Sequence, residues 1–105
     1  MKTIIFNEIL NAVEQITEVH RDHILSREKE REIVDARSLV IHYLCVNGFT
    51  KSQAARLTGH SRQCVSVLEE GFRNRQEANG NIMSILIQQI NNIVVTKGLK
   101  PIPLK

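Results

Sequence analysis

The stretch Lys51-Ser52-Gln53-Ala54-Ala55-Arg56-Leu57-Thr58-Gly59-His60-Ser61-Arg62-Gln63-Cys64-Val65-Ser66-Val67-Leu68 decides how this chain reads. Two short helical patterns meet at Gly59, and Ser61 stands where a helix N-cap belongs. Ala55 is small enough for two helices to cross closely, and Gly59 accepts the positive φ of a tight turn. Val65 and Leu68 then point inward and lock the second helix onto the first. Arg62, Gln63 and Ser66 are left on its outer face near the N-terminus. The pattern predicts a helix-turn-helix. A second helix presented this way fits a DNA major groove, where Arg pairs with guanine and Gln with adenine. The helix N-terminus itself favours a phosphate.

Outward from that unit, apolar periodicity predicts five helical segments. The first covers residues 6–19, with Ile9, Leu10, Val13 and Ile16 on one face. Asp22-His23-Ile24-Leu25 predicts a short turn of helix or a loop. Ser26 is expected to cap a long helix over residues 28–46. Its early part is charged, but Leu39-Val40-Ile41-His42-Tyr43-Leu44-Cys45 is apolar nearly all round, which predicts burial of its C-terminal half. Asn47-Gly48 stops it. Thr50 caps a helix over 51–58, Ser61 caps one over 62–77, and Asn79-Gly80 breaks the latter. The last helix spans 81–96, with Ile82, Ile85, Leu86, Ile90, Ile93 and Val94 on one broad face, widened by Met83, Ile87 and Val95. Gly98, Pro101 and Pro103 predict a frayed, flexible tail over residues 98–105. The expectation is a single all-α domain of about five helices over residues 1–105.

Composition agrees. The chain has 105 residues, 42% hydrophobic and 24% charged, enough for one modest core. No apolar run approaches the length of a membrane span. The start shows no basic region followed by a cleavage site, so no signal peptide is expected and the location is read as cytoplasmic. Cys45 and Cys64 lack CxxC spacing and read as reduced thiols. The net charge is +3, and its distribution is uneven: −2 over residues 1–50, +3 over 51–76 and +2 over 77–105. The positive excess sits on and after the helix-turn-helix, where phosphates would attract it.

Residues upstream add a family. Leu25-Ser26-Arg27-Glu28-Lys29-Glu30-Arg31-Glu32-Ile33-Val34-Asp35-Ala36-Arg37-Ser38-Leu39, then Tyr43-Leu44, then the helix-turn-helix, resembles the C-terminal DNA-binding domain of the bacterial replication initiator DnaA, a Trp-repressor-like fold. The resemblance covers residues 5–96. It implies sequence-specific binding of double-stranded DNA, in bacterial or phage replication initiation or its regulation. By position it implies that Arg37 reaches into the minor groove and that Arg27, Lys29 and Arg31 hold phosphates from a basic loop. Lys51 and Ser52 fall near backbone or bases, and His60, Ser61, Arg62 and Gln63 occupy the major-groove reading positions, with Ser66 assisting. Arg56, Arg73 and Arg75 are further candidates for phosphates.

Departures are equally specific. The family has Arg-Asp-His followed by two hydroxyl residues where this chain has His60-Ser61-Arg62-Gln63-Cys64. The doubled glycine of the family turn is Gly59 alone, and Glu28, Glu30 and Asp35 dilute the basic loop. A different DNA target is therefore expected. No GxxxxGK[ST] occurs, so no ATPase is expected.

Other constellations read as structural. His20 and His23 lack further ligands at metal spacing. Cys64 reads as a small half-buried residue and His42 as a packed histidine. Arg27-Glu28-Lys29-Glu30-Arg31-Glu32 also fits a solvated helix start laced with local ion pairs. No nucleophile elbow or paired-carboxylate pattern appears, so no catalytic residue, metal or cofactor is assigned. Two alternatives stay open: an interaction module that regulates a replication protein or self-associates, and a ligand-responsive transcriptional regulator.

Overall fold

The computed structural model describes residues 2–78 and 81–103. They form α1 (Lys2–Thr17), α2 (Arg21–Ile24), α3 (Arg31–Val46), α4 (Lys51–Thr58), α5 (Arg62–Ala78) and α6 (Asn81–Thr96), with no strand among the described residues. The all-α expectation holds, with the short 22–25 segment counted as a helix of its own. The break expected at Asn79-Gly80 and the last two residues of the expected tail lie outside the described residues. Among the described residues no helix is long and apolar enough to cross a membrane.

The C-terminal half of α3 has no face that tolerates water, and the fold is arranged around it. Leu39, Val40, Ile41, Tyr43 and Leu44 are all fully buried. α1, α2, α4 and α5 pack directly on α3, and α6 packs on α1. Phe6, Ile9, Leu10, Ala12 and Val13 supply the α1 side of this core. α1 begins at Lys2, a turn earlier than periodicity alone suggests, and Phe6 is buried in its second turn.

α1 ends through side chains rather than glycine. Thr17 Oγ1 donates to the Val13 carbonyl at 2.7 Å, and Glu18 takes φ 59°. Glu14 then captures the chain as it leaves. Its carboxylate accepts the Arg21 backbone N–H at 2.8 Å and the Arg21 Nε and Nη2 at 3.2 and 3.0 Å, while Arg21 Nη2 also donates to Asn11. These hydrogen bonds hold the Glu14 carboxyl below the usual carboxylate range. His20 caps α2 by accepting the Asp22 N–H on Nδ1 at 3.1 Å.

The expected start of α3 is corrected. Ser26 does not cap it: its hydroxyl donates to the His23 carbonyl at 2.6 Å and accepts the Glu28 N–H at 3.1 Å, folding residues 25–30 into a loop. α3 starts at Arg31 behind Glu30, which makes no side-chain cap bond. By contrast, α4 is as expected. Thr50 and Gln53 form a capping box, with bonds of 3.1 and 2.9 Å. Gly59 ends α4 in the left-handed region at φ 75°.

α6 is rotated from its expected orientation. Its buried seam is Met83, Ile87, Ile90 and Val94, whereas Ile82, Ile85 and Val95 face outward, at 69%, 52% and 54% exposure. The reason is polar. Asn91 turns inward, and its Oδ1 accepts the Tyr43 hydroxyl at 2.6 Å, with the Ile87 carbonyl 3.2 Å from the same hydroxyl. Satisfying a buried phenol helps to choose which part of a broad apolar face turns inward.

The segment following α6 is docked rather than frayed through residue 103. Asn91 bonds both the N–H and the carbonyl of Ile102 at 2.9 Å, and Ile102 is buried. Asn47 does the same for Lys100, at 2.8 and 3.1 Å. Two side-chain amides thus treat the chain end as a paired strand would.

Asn91→Ala should lower the unfolding free energy by about 2–4 kcal/mol, because it removes both bonds to Ile102 and leaves the Tyr43 hydroxyl only the longer contact to the Ile87 carbonyl. Tyr43→Phe should cost about 1 kcal/mol. Gly59→Ala should cost about 1–2 kcal/mol from backbone strain alone, since open space surrounds a Cβ there. Urea titration followed by circular dichroism measures all three.

Candidate nucleic-acid interface

The turn between α4 and α5 positions the candidate reading edge. The His60 N–H donates to the Ala55 carbonyl at 3.0 Å across Gly59. Ser61 Oγ then accepts the Cys64 N–H at 3.0 Å and starts α5, as its position in the sequence predicts. Val65, Leu68 and Phe72 bury one face of α5, and Ala54 and Ala55 bury the facing side of α4.

Polar contacts fasten α5 to α3. His42 Nδ1 lies 2.8 Å from Glu69 Oε1, and the His42 ring stacks on Phe72 with centroids 4.0 Å apart. Arg75 Nη1 donates to Asp35 at 3.1 Å. His42 is thus a packed histidine, and Arg75 belongs to an inter-helix bridge rather than to a set of phosphate anchors. Burial pushes the neighbouring Cys45 thiol up to about 12, with Glu69 adding to the shift, so it stays protonated and inert.

With α5 held from behind, its first turn projects outward. Arg62 and Gln63 are exposed, and Arg62 forms no ion pair among the described residues. Ser61 is exposed beside them and Ser66 is half-buried. The loop before α3 approaches the same helix end. Arg27, Lys29, Arg37, His60, Ser61 and Cys64 line one surface concavity of about 210 Å³. A wider depression of about 450 Å³ continues from it past Lys29, Ser61, Gln63 and the exposed Val67. Arg27 and Lys29 are exposed and form no ion pair among the described residues. Two free cations and a helix N-terminus therefore border one channel, which is an arrangement suited to anionic oxygens.

Arg37 lies beneath this channel, on the expected side of the molecule but in a different role. It is 5% exposed. Its Nε donates to the Ile24 carbonyl at 2.9 Å, and its Nη2 to the Glu28 carbonyl at 2.9 Å and the His23 carbonyl at 3.4 Å. Burial holds its pKa down, opposed by Cys64 and Glu28, and a guanidinium so occupied keeps its charge. The expected insertion into a minor groove is therefore corrected: the fork of donors is spent on three carbonyls inside the protein.

His60 is also corrected. It is half-buried at the edge of the concavity, and its Nε2 is enclosed without a hydrogen-bond partner among the described residues, so that nitrogen is turned away from a ligand. Burial, then Arg37 and Arg27, hold its imidazole below the ordinary histidine value. Arg31 points elsewhere: it borders a groove of about 380 Å³ with Val19, Ile82 and Leu86, apart from Arg27 and Lys29. Lys51 and Ser52 begin α4 and line neither part of the channel; Lys51 is close enough to Cys45 to act on its charge. Arg56 is exposed on α4, and Arg73 borders a separate depression beside Glu69 and Glu70.

Cys64 and Val67 join the channel wall, which the sequence marks only through their i+1 and i+4 spacing from Gln63. Among the described residues no group of three His, Cys, Asp or Glu side chains is placed to hold a metal. His23 instead pairs with Glu28 at 2.6 Å, and this contact raises the His23 pKa and lowers that of Glu28. No protein-family model, curated protein or solved structure matches the chain.

The depressed His60 pKa has a sign. The unfolded chain takes up the proton first, so the stability this residue contributes is complete above its ordinary value of 6.5 and is lost as pH falls towards the lower folded value. Between about pH 7.5 and about pH 5, wild type should lose stability relative to His60→Gln, measured by urea unfolding at each pH. A constant gap would show that His60 is solvated.

Proposed function

We propose that this chain is a sequence-specific binder of double-stranded DNA that acts through its helix-turn-helix, in replication initiation or its regulation. α5 lies in the major groove, where Arg62 and Gln63 meet base edges and Ser61 and Ser66 assist. Arg27 and Lys29 hold the phosphate backbone beside it. The observation that carries this reading is the convergence of Arg27 and Lys29 with the Ser61 end of α5 on one channel, next to an outward-facing Arg62-Gln63 pair. Arg62 and Gln63 differ from the residues at the corresponding positions of the DnaA family, so a different DNA site is proposed. Arg37 and His60 are left out of the contact by burial, Arg75 by its pairing with Asp35, and Arg31 by its place on a separate groove. No step of this reading involves catalysis.

One observation favours a protein partner as well. Ile82 and Ile85 stand exposed on the first turns of α6, beside the groove that Arg31 borders. A self-associating or replication-protein-binding module would use such a face.

Selection of bound duplexes from a random pool should yield a defined motif. Arg62→Ala should weaken binding to that motif by about 1–3 kcal/mol and relax preference at one position. An unchanged motif and affinity in a fluorescence-anisotropy titration would remove α5 from the major groove. Light scattering that shows a dimer, together with no duplex retained at low salt, would favour the protein partner instead.

A further inference from the structure

We infer that Arg37 is a positioning residue for the phosphate-holding loop, and that DNA affinity depends on it through Arg27 and Lys29 rather than through any contact of its own. The inference rests on the DNA-binding reading above.

Only Leu25 and Ser26 of the loop over residues 25–30 donate backbone bonds back to α2, and the stretch beyond them carries the two cations that face the channel. A flexible loop would present those charges over many positions and would bind a phosphate only after ordering, at a cost in entropy. Arg37 removes that freedom. It grows from the second turn of α3, between the buried Ala36 and Ser38, so its Cα is fixed by the core. Its guanidinium reaches the carbonyls of His23 and Ile24, just before the loop, and of Glu28 within it. Arg27 lies between these attachment points and Lys29 immediately follows the last.

Arginine suits this task and lysine does not. A planar fork aims several N–H groups in fixed directions, so one side chain can bridge carbonyls that an ammonium cannot reach together. The loop adds weaker ties of its own: Ser26 Oγ to the His23 carbonyl and the Glu28 N–H, and His23 to Glu28. These are exposed, and Arg37 is the buried member of the set.

The test is a thermodynamic cycle on the full chain, with a labelled mixed-sequence duplex as probe and salt varied between about 50 and 200 mM. Arg37→Lys keeps the charge but breaks the fork. If the loop then no longer holds two phosphates, the slope of log affinity against log salt should flatten by about two, and the wild-type advantage should shrink about tenfold across that range. The Arg27→Ala/Lys29→Ala protein should show the same flattening. Adding Arg37→Lys to it should change the slope no further. Hydrogen exchange should show faster amides in residues 25–30 of Arg37→Lys, with those of α1 and α6 unchanged. Ser26→Gly, a half-buried loop change outside the apolar core, should flatten the slope in the same direction by less, and only when Arg27 and Lys29 are present.

A slope unchanged in Arg37→Lys, or an effect that persists in full in the Arg27→Ala/Lys29→Ala background, overturns the positioning role while leaving DNA binding in place. Should Arg37→Lys fail to fold, hydrogen exchange in the wild type decides: amides of residues 27–30 that exchange at the rate of an unstructured peptide overturn the inference. Wild type that shows no salt-dependent affinity for the duplex overturns the DNA-binding reading, and this inference with it.

Discussion

A helix without a polar face must be covered on every side, and the C-terminal half of α3 is such a helix. Each fully buried Leu, Ile or Val there is worth about 1.5–3 kcal/mol relative to exposure, so leaving one flank open would cost a large share of the net stability of a domain this size. That constraint draws α1 to one flank and the α4–α5 pair to another. It also accounts for the course of the chain end. Residues Lys100 and Ile102 are brought back over α3 and α6 by Asn47 and Asn91, and Ile102 closes the core.

The polar groups inside this core carry much of its geometry. Apolar contacts are non-directional and would allow α6 to rotate among several nearly equivalent settings. The Tyr43–Asn91 pair selects one of them, because the phenol and the amide each need a partner once water is excluded. His42, Glu69 and Phe72 do the corresponding work between α3 and α5. A rigid seat for α5 is what turns Arg62 and Gln63 into a directed pair rather than two mobile side chains.

Arg37 shows the same logic applied to a charge. Burial of a cation is costly unless its donors are met, and here they are met by carbonyls that a loop would otherwise show to water. One residue thereby ties the interior of α3 to the surface strip that carries Arg27 and Lys29. The charge pattern of the channel follows from the pairing of its neighbours. Arg75 is neutralised by Asp35, and Glu28 is engaged by His23, while Arg27, Lys29 and Arg62 have no such partner among the described residues.

The sequence by itself determined the elements whose signals are local. The helix-turn-helix was legible from Thr50, Gln53, Gly59 and Ser61, because capping and a left-handed turn depend on residues within four positions of one another. The burial of Val65 and Leu68 was legible from periodicity, and that of Leu39, Val40, Ile41, Tyr43 and Leu44 from their near-continuous apolar run. Tertiary structure decided whatever depends on groups far apart in the chain. Arg37 meets carbonyls 9 to 14 residues away, Tyr43 meets Asn91 across 48, and Asn47 meets Lys100 across 53. Local pattern cannot tell an arginine that will be buried by such partners from one that will face a groove. It cannot choose the inward part of a broad apolar face on α6, or show that a segment with two prolines will find paired amides. Those outcomes are set by the satisfaction of polar groups after collapse, when the distant partners first come within hydrogen-bonding reach.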